Sequence, residues 1–537
     1  MDKSRFILNG MRWSDSLEQR RPKSVDLDKE ITVTITLRGK NDSTLSPLHY
    51  AGSKAHLTVS QAVRTFSHSA AHEAAVRRFA REYDLDCTSC QPFSVELSGT
   101  VGQMNRAFGV HLLRSAESKY QTQYHVPDTE ISLPVYLYQI VTGVFGLDNR
   151  PAGKRHGLTQ QMAGPGMTPP PVTAKTRKPA EFATLYDFPA TTGRGQSIGL
   201  LEFGGGFRPR QLKSYFKSVG VTEPRLIVKE VPPGGNRPRG KPGTLNPDTE
   251  VYLDIEVAAS LAPEATFVVY FGEDNEQGWL RTLRAAILDR NHDLSVISIS
   301  WGEAEQQWTS RAIREIDRVF QLAARRGITI CCSSGDNGVT EWSERPFSIA
   351  FPASSPHVLA CGGTQLEVKR SGLREETVWN QWRKYKLASG GGFSSVFAVP
   401  PYQKGMKRRS LRTHKPSEGR GIPDVAANAS SNTGYLIEAD HTSMSMGGTS
   451  AVAPLWAALV ARLNEALGTK VGFLTPLLYE MNSRRKKVTR DIVNGFNGPT
   501  RSAGYQATRG WDACTGLGSP NGNRILEDLK SKIKKNR

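Results

Sequence analysis

Cysteine is scarce: six in 537 residues are too few for a disulfide scaffold. No uninterrupted apolar stretch reaches the length of a membrane-spanning helix, so an integral membrane protein is not expected. The opening MDKSRFILNGMRW lacks the basic-then-apolar layout of a secretory signal, so no classical export signal is expected. Acidic residues are the minority charge, with Asp+Glu 51 against Lys+Arg 70 and a net charge of +19. That excess is not gathered into a nucleic-acid stripe. Its densest run, Lys404 to Arg420 with Lys407, Arg408, Arg409, Arg412 and Lys415, has no regular aromatic interleaving and reads as a solvated loop. Neither a nucleic-acid partner nor a membrane partner is expected. Hydrophobic residues at 38% and aromatics at 8% are enough for sizeable cores, which excludes global disorder.

What is present falls into two units. Residues 151–180 (PAGKRHGLTQQMAGPGMTPPPVTAKTRKPA) carry five basic and no acidic side chains and few large apolar ones. They read as a linker open to processing. Before it, ITVTITLRG alternates like a strand, SQAVRTFSHSAAHEAAVRRFAREYD has the period of one amphipathic helix, and FSVELSGTVGQMNRAFGVHL reads as strand, turn and short helix. The expectation is a small α+β sandwich over 1–150. After it, the short apolar runs SIGLLEF, TFVVYF, SVISISW and ITICCSS alternate with helical segments. That succession predicts a parallel sheet flanked by helices over 181–537.

Three segments carry chemistry. In MGGTSAVAPLWAALVARLNEALG, Val452, Leu455, Trp456, Leu459, Val460, Leu463 and Leu467 mark one helical face, and Pro454 is expected in a first turn. Ser450 is then a hydroxyl at a helix amino terminus, where the dipole favours developing negative charge. The plain alternative is an N-cap serine. A nucleophilic serine needs a base. Of eleven histidines only His292, His357, His414 and His441 follow the linker, so a carboxylate base is worth considering. In DTEVYLDIEVAASLAPEA, Glu250 and Asp254 are four apart on one helix face, where like charges can share a proton. Glu256 breaks the amphipathic pattern and is expected in solvent. Asp336 follows the strand ITICCSSG at its carboxyl end, where α/β sheets place their sites. Kept protonated, it could donate to an oxyanion; as a plain alternative it forms a turn.

GGTSAVAPLWAAL, EVYLDIEVAASLAP, SVISISWG and SSGDNG, in this order and spacing, resemble the sedolisins, the serine-carboxyl peptidases, on their kumamolisin branch. IGLLEFGGGF, GRGIPDVAANAS and GWDACTGLGSP add to the resemblance, which covers nearly all of 180–525. SGTVGQMNRAFGVHL and VTGVFGLDNRP resemble the family's activation propeptide. The resemblance implies a subtilisin-like α/β catalytic domain, a parallel sheet flanked by helices, after a smaller α+β propeptide. It implies Ser450 as nucleophile, Glu250 as general base and acid, Asp254 as the group that orients Glu250, and Asp336 as oxyanion donor. Behind these it implies Glu202 and Trp301. It also implies one Ca2+ ion held by Asp491 and Asp512 with carbonyls of Ile492, Thr508 and Gly510. The expected protein is a self-processing zymogen of an acid-acting endopeptidase that takes protein or peptide substrates, is inhibited by its own propeptide and is a monomer. It would work outside the cell or in an acidic compartment. A tripeptidyl-peptidase of the same family and a non-catalytic binding protein on this fold are the alternatives.

Other signals are weaker. His68 and His72 are four apart on the expected helix but lack the Glu of a zinc protease. CTSC (Cys87, Cys90) has no second CxxC and reads as free thiols or one short disulfide. Cys331 and Cys332 are adjacent in a strand, so they should point to opposite faces as small core residues.

Overall fold

The computed structural model describes residues 4–11, 23–44, 56–114, 124–155, 168–340, 347–369, 371–372, 374–406, 418–484 and 486–535. The middle of the linker, His414 and the basic residues Lys407, Arg408, Arg409, Arg412 and Lys415 lie outside the described residues.

The amino-terminal unit is a four-stranded antiparallel sheet with helices packed on it. Its central strand β1 (Glu30–Leu37) buries Val33, Ile35 and Leu37, as the alternation predicts, but Thr34 and Thr36 are buried as well. The threonine face is not solvated because it docks on the second unit, where Gln277 Nε2 donates to Thr32 O at 3.1 Å and Thr34 Oγ at 2.9 Å. The expected single helix is two. Helix α1 (Val59–Phe66) stops before Ser67, and Ser69 caps α2 (Ala70–Glu82) by accepting from His72 N. A serine's local bonding at a cap outweighs a continuous apolar period. His68 therefore sits in the break and not on a shared helix face with His72. Strands β2 (Asp86–Gln91) and β3 (Ser94–Thr100) pair across a bulge that sets Cys87 opposite Leu97 and Cys90 opposite Val95. Both thiols thus share one face, 3.5 Å apart and unbridged.

The second unit is the α/β sheet that the sequence predicts. Strand β4 (Lys154–Arg155) of the linker precedes it. Six of the eight sheet strands, β5 (Ser197–Glu202), β6 (Arg225–Glu230), β7 (Thr266–Phe271), β8 (Val296–Ile299), β9 (Thr329–Ser333) and β10 (Leu359–Val368), run parallel in the spatial order 6-7-5-8-9-10, and β10 also pairs with Val425–Asn428 in parallel and with Arg374–Val378 antiparallel. The carboxyl ends of the neighbours β5, β8 and β9 lie side by side, where chain order reverses. One face carries two buried helices, α3 (Pro247–Leu261) and α4 (Thr449–Leu467), packed on each other. The other face carries Glu276–Ile287 and Ser310–Arg325, and these share one continuous core with the amino-terminal unit. Cys331 joins the first core and Cys332 the second, on opposite faces of β9. Among the described residues no helix is long and apolar enough to cross a membrane.

Candidate active site

Ser450 is the second residue of α4. Gly447 precedes it because a Cβ there would lie 2.2 Å from Ala429 O, and Gly448 holds φ +94, a region that other residues rarely adopt. Pro454 is the sixth helical residue, not a first-turn residue as expected. It is tolerated for a local reason. Its missing N–H would have bonded the Ser450 carbonyl, and that carbonyl instead accepts Ser300 Oγ at 3.2 Å. Ser450 Oγ in turn lies 3.5 Å from Ser300 O. Ser300, which sequence reasoning passed over, therefore pins the serine's backbone. The signal was its place as the residue following β8, directly before Trp301.

Asp336, three residues beyond Ser333 at the end of β9, reaches the same helix start. Its Oδ1 accepts Thr449 N at 2.8 Å and Thr449 Oγ at 2.6 Å. Thr449 Oγ also accepts Gly335 N at 3.2 Å. The threonine of GGTS thus ties the two segments together, a role not legible from the motif alone.

Helix α3 brings the other acids. Asn246 caps it and Pro247 opens it. From Asp248 to Leu261 every residue is buried, so the helix has no solvent face. Glu256 is accordingly not solvated as expected. It is fully buried, and its Oε2 accepts Glu438 N at 2.9 Å. Burial pushes its pKa well up.

Glu250, Asp254, Glu202, Asp336 and Ser450 are all fully buried, and Trp301 nearly so. Trp301 Nε1 donates to Glu202 Oε2 at 3.0 Å, and Ser300 Oγ donates to Asp254 Oδ1 at 2.7 Å. The remaining oxygens, Glu202 Oε1 and Asp254 Oδ2, meet no N–H or O–H donor, yet the two carboxyls bond each other. One shared proton accounts for both facts. Burial, with the charge of Glu250 added, pushes Glu202 up to about 8 despite the Trp301 bond. Burial and the charge of Glu202 raise Asp254 well above the carboxylate range. The Glu202–Asp254 pair therefore keeps its shared proton through the acidic and neutral range. The histidines are engaged elsewhere: His292 bonds Asp289, His357 bonds Asp317, and His441 lies at positive φ in a hairpin turn.

Both flanks of the linker reach this centre. Asp274 Oδ1 accepts Gly153 N at 2.8 Å, and a Cβ on Gly153 would stand 2.7 Å from the Trp279 ring. Burial pushes Asp274 up to about 7. Next, β4 pairs antiparallel with Trp301–Ala304, Lys154 opposite Gly302 and Arg155 opposite Trp301, immediately beyond Ser300. At the far flank Ser445 N donates to Pro170 O and Arg177 bridges to Tyr435, on the hairpin whose second strand runs into Gly447 and Ser450. The linker thus leaves one wall of the site and rejoins the other.

The five candidate calcium positions also converge. Gly510 N donates to Asp491 Oδ2 at 2.9 Å and Thr508 N to Asp512 Oδ2 at 3.0 Å, which clasps two loops together beside Ile492. Asp512 is buried, and burial lifts it to about 7 although Cys514 N and Thr515 N also donate to it. A buried carboxylate still short of compensating charge suits a hard cation. Among the described residues no cluster of three or more His, Cys, Asp or Glu side chains is placed to hold a metal, so a cation here would lean on backbone carbonyls.

Comparison with known proteins agrees with this architecture. Residues 245–493 match the Subtilase family, peptidase S8, and residues 19–150 match the Pro-kumamolisin activation domain. Kumamolisin of Bacillus sp. is 38% identical over 95% of this chain and 94% of its own. Tripeptidyl-peptidase 1 of Bos taurus is 31% identical over 70% of this chain and 63% of its own. Pseudomonas sedolisin, solved in complex with pseudo-iodotyrostatin, superposes with a TM-score of 0.59 at 28% identity, covering 67% of this chain and 99% of that one. The parallel-sheet unit is the subtilisin-like catalytic domain and the amino-terminal unit its pro-domain: the chain belongs to the sedolisin family of serine-carboxyl peptidases, on its kumamolisin side.

Proposed function

We propose that this zymogen is an acid-acting endopeptidase that cuts its own linker. Ser450 attacks the scissile carbonyl and forms an acyl-enzyme. Glu250 takes the hydroxyl proton and returns it to the leaving amine, while Asp254, backed by Glu202 and Trp301, keeps Glu250 in place and in the right protonation state. Asp336 donates to the tetrahedral oxyanion. Because its Oδ1 already accepts two Thr449 donors, the catalytic proton belongs on Oδ2. The observation that carries this reading is the position of the two described flanks of the linker, one on the strand beside Ser300 and the other on the hairpin that leads into Ser450.

Asp491, Asp512 and the carbonyls of Ile492, Thr508 and Gly510 would hold one Ca2+ ion. Bound there, the cation would supply positive charge that holds these two loops together. The pro-domain is the chain's own inhibitor, protein or peptide substrates follow its release, and the enzyme is monomeric, working outside the cell or in an acidic compartment. Acid operation follows from the chemistry, since Asp336 donates only while protonated.

The test is a peptide of mixed sequence with an acetylated amino terminus, incubated with processed enzyme between pH 3 and 8. Internal cleavage, greatest in acid, is expected. Tripeptides released only from the unblocked peptide would replace the endopeptidase reading with a tripeptidyl one. An optimum near pH 8 would remove Asp336 from its role.

A further inference from the structure

The pro-domain touches the catalytic unit at a second point, remote in sequence from the linker. Leu57 N donates to Arg325 O at 2.9 Å, where the helix Ser310–Arg325 ends. Beside it the His56 ring fills a space kept open by two glycines of the catalytic unit. A Cβ on Gly327 would come within 2.4 Å of the ring, and one on Gly472 within 2.7 Å of Nε2. Nε2 is enclosed and has no hydrogen-bond partner among the described residues. Three catalytic-unit segments bring charge to this place. Lys470 Nζ bonds Asp293 Oδ1 at 2.7 Å and Leu294 O at 3.0 Å. Arg326 Nη2 reaches the same Asp293 oxygen at 3.3 Å, and Arg325 lies with its guanidinium over the Phe66 ring of the pro-domain. One carboxylate thus already serves two of three cations.

We propose that His56 is a proton-operated latch between pro-domain and catalytic unit. Neutral, its ring closes the space at Gly327 and Gly472. Protonated, it puts a second positive charge beside Lys470, whose Asp293 partner is already shared with Arg326, and the pro-domain loosens. This rests on the zymogen reading, because it names what regulates access to Ser450.

Burial, and then the charge of Lys470, hold His56 below its ordinary 6.5, with Asp293 acting weakly the other way. The docked state therefore prefers the neutral ring. Docking is at full strength above 6.5 and weakens as pH falls below it, up to about tenfold for each unit by which docking lowers the pKa. Asp274, pushed up to about 7 at the linker contact, has the opposite sign: it binds its proton more tightly when buried, so acid strengthens that contact. His68 and His125 are also held low by burial; His68 lies within the pro-domain and acts on its own fold, while His125, whose Nε2 bonds Gly146 O, also faces Glu273 of the catalytic unit, which acts weakly the other way.

The test uses the full chain carrying Ser450→Ala, so that neither cleavage nor the identity of the nucleophile affects the result. Hydrogen exchange of the Leu57 amide, corrected for intrinsic rate, is followed from pH 7 to 4. Protection is expected to fall below pH 6.5, to fall little with His56→Asn added, and to fall less steeply with Lys470→Met added. An unchanged pH dependence in His56→Asn overturns the proposal. Should that variant lose protection throughout, an unchanged slope in Lys470→Met does so instead. Failure of the wild-type chain to process itself would refute the zymogen reading separately.

Discussion

Replacing Glu202 by glutamine isolates the protonation that the buried acids require. Glu202 is fully buried between Trp301 Nε1 and Asp254, and is pushed from its ordinary 4.5 up to about 8. Between those values the native chain keeps a proton that the unfolded chain has released, so stability falls as pH rises. At about 1.4 kcal/mol per pH unit the loss accumulates to about 5 kcal/mol across the window. Glutamine is neutral throughout. Its oxygen can accept from Trp301 and its amide can donate to Asp254, so at pH 5 the variant should lie within about 1 kcal/mol of its parent. Glu256 and Asp274 titrate in both chains and cancel in the difference, whereas Asp254, relieved of the Glu202 charge that raises it, shifts in the same direction and adds to the gain. The assay is urea unfolding in a Ser450→Ala background at pH 5, 6, 7 and 8, followed by tryptophan fluorescence. The variant should gain on its parent by about 4 kcal/mol between pH 5 and 8. Parallel stability curves would refute the reasoning, since Glu202 would then be ionised in the native chain.

Ser300→Ala leaves the Ser450 carbonyl and Asp254 without their shared donor, and should cost about 2 kcal/mol in urea unfolding together with a fall in kcat; unchanged stability would mean that Pro454 frees no carbonyl that needs a partner. Arg420→Met strands Asp424, which it meets at 2.8 and 3.0 Å in full burial, and should cost about 3–5 kcal/mol by the same measurement, whereas a neutral effect would show that Tyr479 and Ala360 N suffice for that carboxylate. Calcium at about a hundred times its Kd should stabilise the wild-type chain by about 2.7 kcal/mol, and a chelator should reverse this, while Asp512→Asn should respond to neither; equal responses in both chains would place the ion elsewhere.

The sequence was most readable where one segment carries its own geometry. Ser450 behind two glycines, the i,i+4 acids of α3 and Asp336 after a buried strand each follow from local rules, and the structure gathers them at adjacent strand ends. Local rules failed where tertiary packing decides. Glu256 reads as solvated because helical periodicity assumes one wet face, and α3 has none. Thr34 and Thr36 read as a polar strand face, yet that face is an interdomain contact. Ser67 to Ser69 interrupt a periodic run by capping, and Pro454 survives within a helix because Ser300, 154 residues away, serves the carbonyl it leaves. Asp491 and Asp512 carry no metal signal by spacing, and only the family resemblance singled them out.

The central claim is that Ser450 cuts its own linker. Wild-type chain and Ser450→Ala, incubated side by side at pH 4 and examined by intact mass, decide it. The account predicts that wild type alone loses roughly its first 150–180 residues. An uncut wild-type chain, or equal processing of both chains, would contradict it.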